Sequence, residues 1–198
     1  MTETFLSDRD LDTIFRSARS VKAFTDQPVS DITIRAIYDL MRWGPTSFNC
    51  APARFVMVQS DEAKQKLADC AIDSNKDKIL NAPVTAIIAQ DLKFYEKLPD
   101  LYKALPTAAD FFVNDAELAS VTAFRNSSLQ GAYLMIAARA LGLDCCPMSG
   151  FDNAAVDEAF FAGTDVKSNF ICALGHGDYD KLPEQDRRLS FDEACQIL

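Results

Sequence analysis

The chain is nearly devoid of histidine: His176 is the single one in 198 residues. That scarcity argues against a metal site built on several imidazoles and against a Ser-His-Asp triad. Cysteine is present at 50, 70, 145, 146, 172 and 195, but no two are spaced C-x-x-C. No run of apolar residues approaches the length of a membrane span. The N-terminal stretch Met1 to Asp8 has neither a basic region nor a long apolar core, so it does not read as a secretory signal. The cysteines are therefore expected to be reduced thiols in a cytoplasmic protein. The vicinal pair Cys145-Cys146 reads as two buried small residues rather than a redox couple. Positive charge is also in short supply. The formal net charge is −9, and no basic run offsets it, which excludes nucleic acid as an expected partner. Three loop signatures are missing as well: G-x-x-x-x-G-K-[ST], G-x-G-x-x-G and G-x-S-x-G.

What the chain has is a sizeable apolar fraction, 48%, with fourteen phenylalanines. That suits one compact domain over residues 1–198, or a smaller unit with an arm that packs on a partner. Some aromatics would then serve a subunit interface. Ser7-Asp8 can cap a first helix with Leu11, Ile14, Phe15 and Ala18 on one face. Ser30 can cap a second, with Ile34, Ile37, Tyr38 and Met41 at helical spacing. Apolar strands are expected at 55–58, 84–89 and 170–174. A surface helix is expected over 61–71, and another turn starts at Asn75 and stops at Ala82-Pro83. Residues 91–113 read as an irregular, aromatic-rich lid or arm. The longest helix runs from about Asp115 to Leu141, apolar nearly all round in its second half and ended by Gly142. Cys145 to Phe151 reads as a tight connection, and Asp152 caps the helix that follows. Helices and single strands alternate, so a helix-covered sheet is expected.

Several clusters could carry chemistry, each with a plainer reading beside it. Trp43 to Arg54 places Thr46, Ser47 and Asn49 between Pro45 and Pro52. This is either a rigid loop that hydrogen-bonds a planar polar ligand or an ordinary turn. Arg19, Ser20 and Lys22 suit a phosphate, or form a solvated charge cluster. Asn75 and Lys78 share a helical face as donors, or decorate an exposed turn. At Pro147-Met148-Ser149-Gly150 the backbone can approach a ligand closely, or the segment is a tight joint. Arg187 and Arg188 are a clamp or a bare basic pair. Arg125, in the middle of the long helix, reads first as a structural ion pair. The other reading is an interface residue or a carboxylate partner.

The order of these signals is more specific than any one of them. An early R-S-x-K is followed by P-[ST]-S-x-N-x-x-P and N-x-x-K, each before a strand. Then come P-x-x-G-F-D after a long apolar helix and a late Arg. Over essentially its whole length the chain resembles the nitroreductase family of FMN-dependent oxidoreductases. Trp43 to Arg54, Thr122 to Gln130, Pro147 to Asp152 and Arg188 to Cys195 resemble one branch, which contains the malonic semialdehyde reductase of the pyrimidine-utilisation pathway. The resemblance implies an α+β fold of three layers, with a mixed or antiparallel central sheet covered by helices. It also implies an intertwined homodimer with FMN at the subunit interface. Arg19, Ser20 and Lys22 would then bind the flavin ring edge, ribityl chain or phosphate. Pro45, Thr46, Ser47 and Asn49 would form a wall from the other subunit, and Asn75 and Lys78 would address the polar ring edge. Pro147 shapes the turn that puts the Ser149 and Gly150 N–H groups at flavin N5, and Arg188, with Arg187, would grip the phosphate. NADPH or NADH would reduce the flavin, and a small-molecule acceptor would reoxidise it. Malonic semialdehyde is the first acceptor to consider, with Arg125 as carboxylate partner. A nitro or quinone compound is the alternative, and a flavin-binding protein without turnover is the third reading. Ala51 and Ser149 depart from the Gln and acidic residue of many relatives, next to the implied flavin.

Overall fold

The computed structural model describes residues 5–198. The first four residues of the N-terminal stretch discussed above lie outside them. Four strands form one antiparallel sheet in the order β1-β2-β4-β3. They are β1 (Ala53–Val58), β2 (Val84–Asp91), β3 (Asp144–Met148) and β4 (Val166–Gly175). The central pair is the most apolar stretch of the chain. Along β2, Val84, Ala86 and Ile88 point to one face and Ile87 and Ala89 to the other, all with zero exposure. A strand buried on both faces needs a continuous apolar run, and both faces then need a cover.

Helices supply both covers. On one face lie α3 (Asp61–Asp69), α4 (Asp73–Asn81) and α8 (Asn153–Phe161), contributing Leu67, Ile79 and Val156 to the core. On the other lie α2 (Asp31–Met41) and α7 (Ala116–Ala140), contributing Ile37, Met41, Leu134 and Ala138. The α+β expectation and its three layers are borne out, and all strand pairings are antiparallel. The expected caps are also present: Ser30 accepts from Thr33 N–H, and Asp152 accepts from Ala155 N–H. Gly142 closes α7 with φ of +81°, a left-handed position that disfavours a side chain. The first helix is shorter than its apolar spacing predicts. Ser7 caps α1 (Asp8–Leu11), which passes into a wide turn over Asp12–Arg16, and Phe15 is left exposed.

Two segments differ from the sequence reading. Residues 145–148 are a strand where a tight connection was expected. Pro147 masked the signal, yet β3 is an edge strand and tolerates it. Cys145 O accepts from Val21 N–H on the outer side. By the two-residue period Pro147 also faces outward, so its missing N–H breaks no ladder bond. Residues 91–113 are not irregular. They carry a turn at Phe94–Lys97, α5 (Leu98–Leu101), a turn at Pro106–Ala109 and α6 (Asp110–Val113). Phe94, Leu98, Ala108 and Phe112 form a core of their own against Ala119 and Ala123 of α7 and Cys50. After β4 the chain ends in a turn at Tyr179–Lys181, an extended tail and α9 (Phe191–Ala194). Among the described residues no helix is long and apolar enough to cross a membrane.

Ile88, with no exposed surface, holds the α7 face of the sheet. Ile88→Ala is expected to lower stability by about 2–5 kcal/mol in denaturant unfolding at fixed protein concentration.

Candidate active site

The loop between α2 and β1 is built against its local preference. Phe48, Asn49 and Ala51 have φ of 53°, 51° and 38°, the left-handed region that residues with a Cβ rarely occupy. Such conformations persist only where the surroundings enforce them. Here the enforcing element is α7. Asn126 Oδ1 accepts from Ser47 N–H at 2.8 Å, and Gln130 Oε1 accepts from Ala53 N–H at 2.9 Å. Tyr133 Oη donates to Pro45 O at 3.0 Å, and its ring leaves no room for a Cβ at Gly44. These three residues stand at helical spacing on one face of α7. Within the loop, Thr46 Oγ1 accepts from Ala51 N–H, and Asn49 Nδ2 donates to Leu101 O at the end of α5. Two of the three polar side chains expected to face a ligand are thus engaged in shaping the loop. Ser47 stays exposed, with no side-chain partner among the described residues. Cys50 is buried, and desolvation pushes its thiol up to about 11, which keeps it un-ionised.

A second group of residues gathers at the opposite edge of the sheet. Ser20 bridges Cys145, and Val21 N–H donates to Cys145 O, so residues 20–22 run alongside β3. Asn75, buried on α4, reaches across to the end of β3. Its Nδ2 donates to Gly150 O at 3.1 Å, and its Oδ1 accepts from Lys78 Nζ at 2.9 Å. A Cβ on Gly150 would sit 2.7 Å from Asn75 Nδ2, so this approach requires glycine. The Cys146 thiol is raised by burial, while the Lys78 and Lys22 ammonium groups both pull it down. The two lysines therefore both lie near Cys146, on separate elements. The N–H groups of Ser149 and Gly150 meet no acceptor among the described residues. Lys22, Asn75, Lys78, Ser149 and Gly150 are brought together, with Pro147 setting the strand that ends there.

The remaining expected residues lie apart from this group or are otherwise engaged. Arg19 donates to Pro183 O where the tail crosses it. Arg187 is paired with Glu193 in the tail, which holds that carboxyl down at about 2. Arg188 bonds only to Asp186 O and Arg187 O. Arg125 is exposed and makes no ion pair among the described residues. The structural ion pair expected for it is absent because its neighbours on α7 are apolar or uncharged. Asn126, Gln130 and Tyr133 were not expected at the site. Their signal was a buried polar stripe in an otherwise apolar helix, visible as T-x-x-x-N-x-x-x-Q over 122–130. The loop at 45–49 feeds β1, and Lys22, Lys78 and Gly150 flank β3. These are the two outer strands, three spacings or roughly 14 Å apart.

The model of the nitroreductase family matches residues 15–177 of the chain. A protein of Cupriavidus pinatubonensis is 53% identical over 189 residues, 94% of this chain and 96% of its own length. HadB of Ralstonia pickettii is 54% identical over the same shares. Both bear the provisional name NADH dehydrogenase/NAD(P)H nitroreductase. Among solved structures, a protein of Staphylococcus epidermidis described provisionally as an NAD(P)H:FMN oxidoreductase superposes with a TM-score of 0.87 at 24% identity. That match covers 100% of this chain and 99% of the other. A protein of Exiguobacterium sibiricum, solved with FMN, superposes with 0.84 at 20% identity over 100% of both chains. These two show the fold.

The bonds from α7 to the loop are testable in isolation. Asn126→Leu and Gln130→Leu each leave a loop N–H unpaired, with an expected loss of about 1–3 kcal/mol. Amide hydrogen exchange is expected to accelerate at Ser47 in the first variant and at Ala53 in the second, while β2 and β4 stay protected.

Proposed function

The chain belongs to the nitroreductase family, and on that premise we propose that it is an FMN-dependent NAD(P)H oxidoreductase working as a homodimer. The observation that carries this reading is the donor set at the end of β3. An acidic chain brings Lys22 and Lys78 both near Cys146, with Lys78 held by Asn75, beside two spare backbone N–H groups. That set fits the polar edge and phosphate of a flavin mononucleotide, which present acceptors and negative charge. When bound, FMN supplies hydride exchange between NAD(P)H and an acceptor. Lys22 and Lys78 hold negative charge at the ring edge in a site they need not reorganise. Asn75 fixes Lys78 by accepting from it, and the N–H groups of Ser149 and Gly150 donate toward the ring. Arg19, Ser20 and Arg188 bind the phosphate end, with Arg187 released from Glu193 to join them.

The topology supports a second copy. The loop at Pro45, Thr46, Ser47 and Asn49 lies at the far edge of the sheet from Lys22, so a site using both draws the loop from another chain. An apolar surface for that copy runs along α7 through Leu118, Val121, Phe124 and Leu129, and Trp43 beside it is 80% exposed. In this reading residues 1–198 form a single FMN-binding domain, cytoplasmic, with no membrane or nucleic-acid partner.

The acceptor we propose is a small aldehyde acid, malonic semialdehyde, reduced to 3-hydroxypropanoate. The unpaired guanidinium of Arg125 supports it as the carboxylate partner. Reduction of nitro or quinone compounds is the second reading, favoured by the names of the relatives.

The visible spectrum of the purified protein tests the cofactor. Oxidised-flavin bands that bleach on anaerobic addition of NADPH or NADH are expected. A colourless protein that takes up no added FMN overturns the proposal. Reduction that is slow or absent would instead mean a flavin carrier without turnover. For the acceptor, Arg125→Ala is expected to raise KM for malonic semialdehyde about 10–100-fold, the worth of a charged hydrogen bond, and to leave KM for a nitroaromatic unchanged. An unchanged KM for the acid returns the acceptor to the nitro or quinone class.

A further inference from the structure

Where α1 and its wide turn meet the end of α7 and the start of β3, they border a cavity of about 320 Å³. Arg9, Asp12, Thr13, Ser17, Arg139 and Asp144 line it. None of the residues placed at the flavin site above lines it, and the ring end of that site lies at the far end of β3. Asp144 opens β3, whereas Ser149 and Gly150 follow its other end, about five residues or roughly 16 Å away.

The hydrogen-bonding inventory of this cavity is one-sided. Its two carboxylates are engaged. Asp144 accepts from Gly177 N–H at 2.9 Å and from Tyr179 O–H at 2.7 Å. Asp12 takes the Arg16 guanidinium at 2.6 Å. The Tyr179 phenol is pushed up to about 12, by burial first and then by its bond to Asp144, so it remains a neutral donor. Thr13 spends its proton on Arg9 O. The donors are spare. Arg139 gives one N–H to Ile14 O at 3.1 Å through Nη1, and its Nη2 has no partner among the described residues. The Arg9 guanidinium and the Ser17 hydroxyl have no side-chain partner among the described residues. Both Asp144 oxygens are bonded and Asp12 is paired with Arg16, so the two guanidinium groups are the cavity's spare donors and suit an oxyanion.

We infer that this cavity is a second anion site, in which Arg9 and Arg139 grip a small oxyanion. Its volume lies at the lower end of ligand pockets, which suits inorganic phosphate or a short dicarboxylate and excludes a nucleotide. In a chain of net charge −9 such an anion is held only where cations are gathered locally. Ser17 and Ala18 form part of the wall and lead directly into Arg19 and Ser20. An anion here braces the segment that enters the β3 edge, so its occupancy is read as stability of the fold.

The test is thermal unfolding of the purified protein with FMN in excess and ionic strength held constant. Chloride is replaced in one arm by inorganic phosphate and in the other by malonate. A rise of the midpoint by about 2–4 °C that grows with the logarithm of anion concentration is expected in at least one arm, and the arm that responds names the anion. Arg9→Gln and Arg139→Lys are expected to abolish most of it. Arg35→Gln, a cation in the separate groove between α2 and β1, is expected to keep it. No such rise in either arm overturns the proposal. So does a rise that survives Arg9→Gln, since it would place the anion elsewhere. Arg9 is an exposed side chain without partners among the described residues, so that variant decides the matter even if Arg139→Lys fails to fold. The outcome does not depend on the flavin reading: a protein without FMN can pass or fail this test on its own.

Discussion

A buried peptide N–H must find an acceptor, and the architecture around the candidate site is organised by that demand. The loop between α2 and β1 packs the ends of its backbone against α7, with the Ala53 N–H buried and the Ser47 N–H partly so. The helix answers with the side-chain carbonyls of Asn126 and Gln130, bonded to Ser47 and Ala53. That is why a 25-residue helix through the core carries Asn, Ser and Gln in its middle, where apolar packing alone would call for leucine. Tyr133 adds the third tie, and its ring occupies the space that glycine leaves at position 44. With both ends of the loop fixed, Phe48, Asn49 and Ala51 can be held in left-handed conformations. A free loop would relax them by roughly 1–3 kcal/mol each.

The second organising constraint is charge. Twenty basic residues face twenty-nine acidic ones, so a random surface of this chain repels anions. The fold offsets this by convergence. Lys22 arrives on the segment that runs along β3, and Lys78 arrives on a helix from the opposite side, oriented by Asn75. Gly150 permits the contact that ties helix to strand. The same logic, on a smaller scale, brings Arg9 and Arg139 together from helices that are far apart in sequence. At the second place the Asp12 and Asp144 carboxylates are already bonded to other donors.

Sequence reading reached the layers of the fold and most element positions because burial imposes periodicity. The two-sided apolar run at Val84 to Ala89 could only be an inner strand, and Ser30 and Asp152 announced the helices behind them. It missed β3, since a proline inside five residues argues against a strand unless the strand is known to be an edge. It read 91–113 as an irregular lid or arm because those helical turns are too short to show a period and are held by Phe94, Leu98 and Phe112 packing on α7. At the site, Lys22, Asn75, Lys78 and Gly150 were legible as motifs. Asn126 and Gln130 were present in the same sequence but had no visible role.

The sequence by itself determined what is local or periodic: helix caps, the alternation of apolar faces, the acidic balance, and the order of short motifs that marks the nitroreductase family. Tertiary structure alone decided which polar groups are spent and which are free. Asn49 and Thr46 turn inward to shape their loop, Arg187 pairs within the tail, and Arg125 stands unpaired. It also decided that the loop at 45–49 and the lysines lie on opposite edges of one sheet. The reason is that a hydrogen bond or an ion pair is a relation between positions. Its partners here lie 77 residues apart for Ala53 and Gln130, and 75 for Asn75 and Gly150, and no pattern within a window of the chain records that.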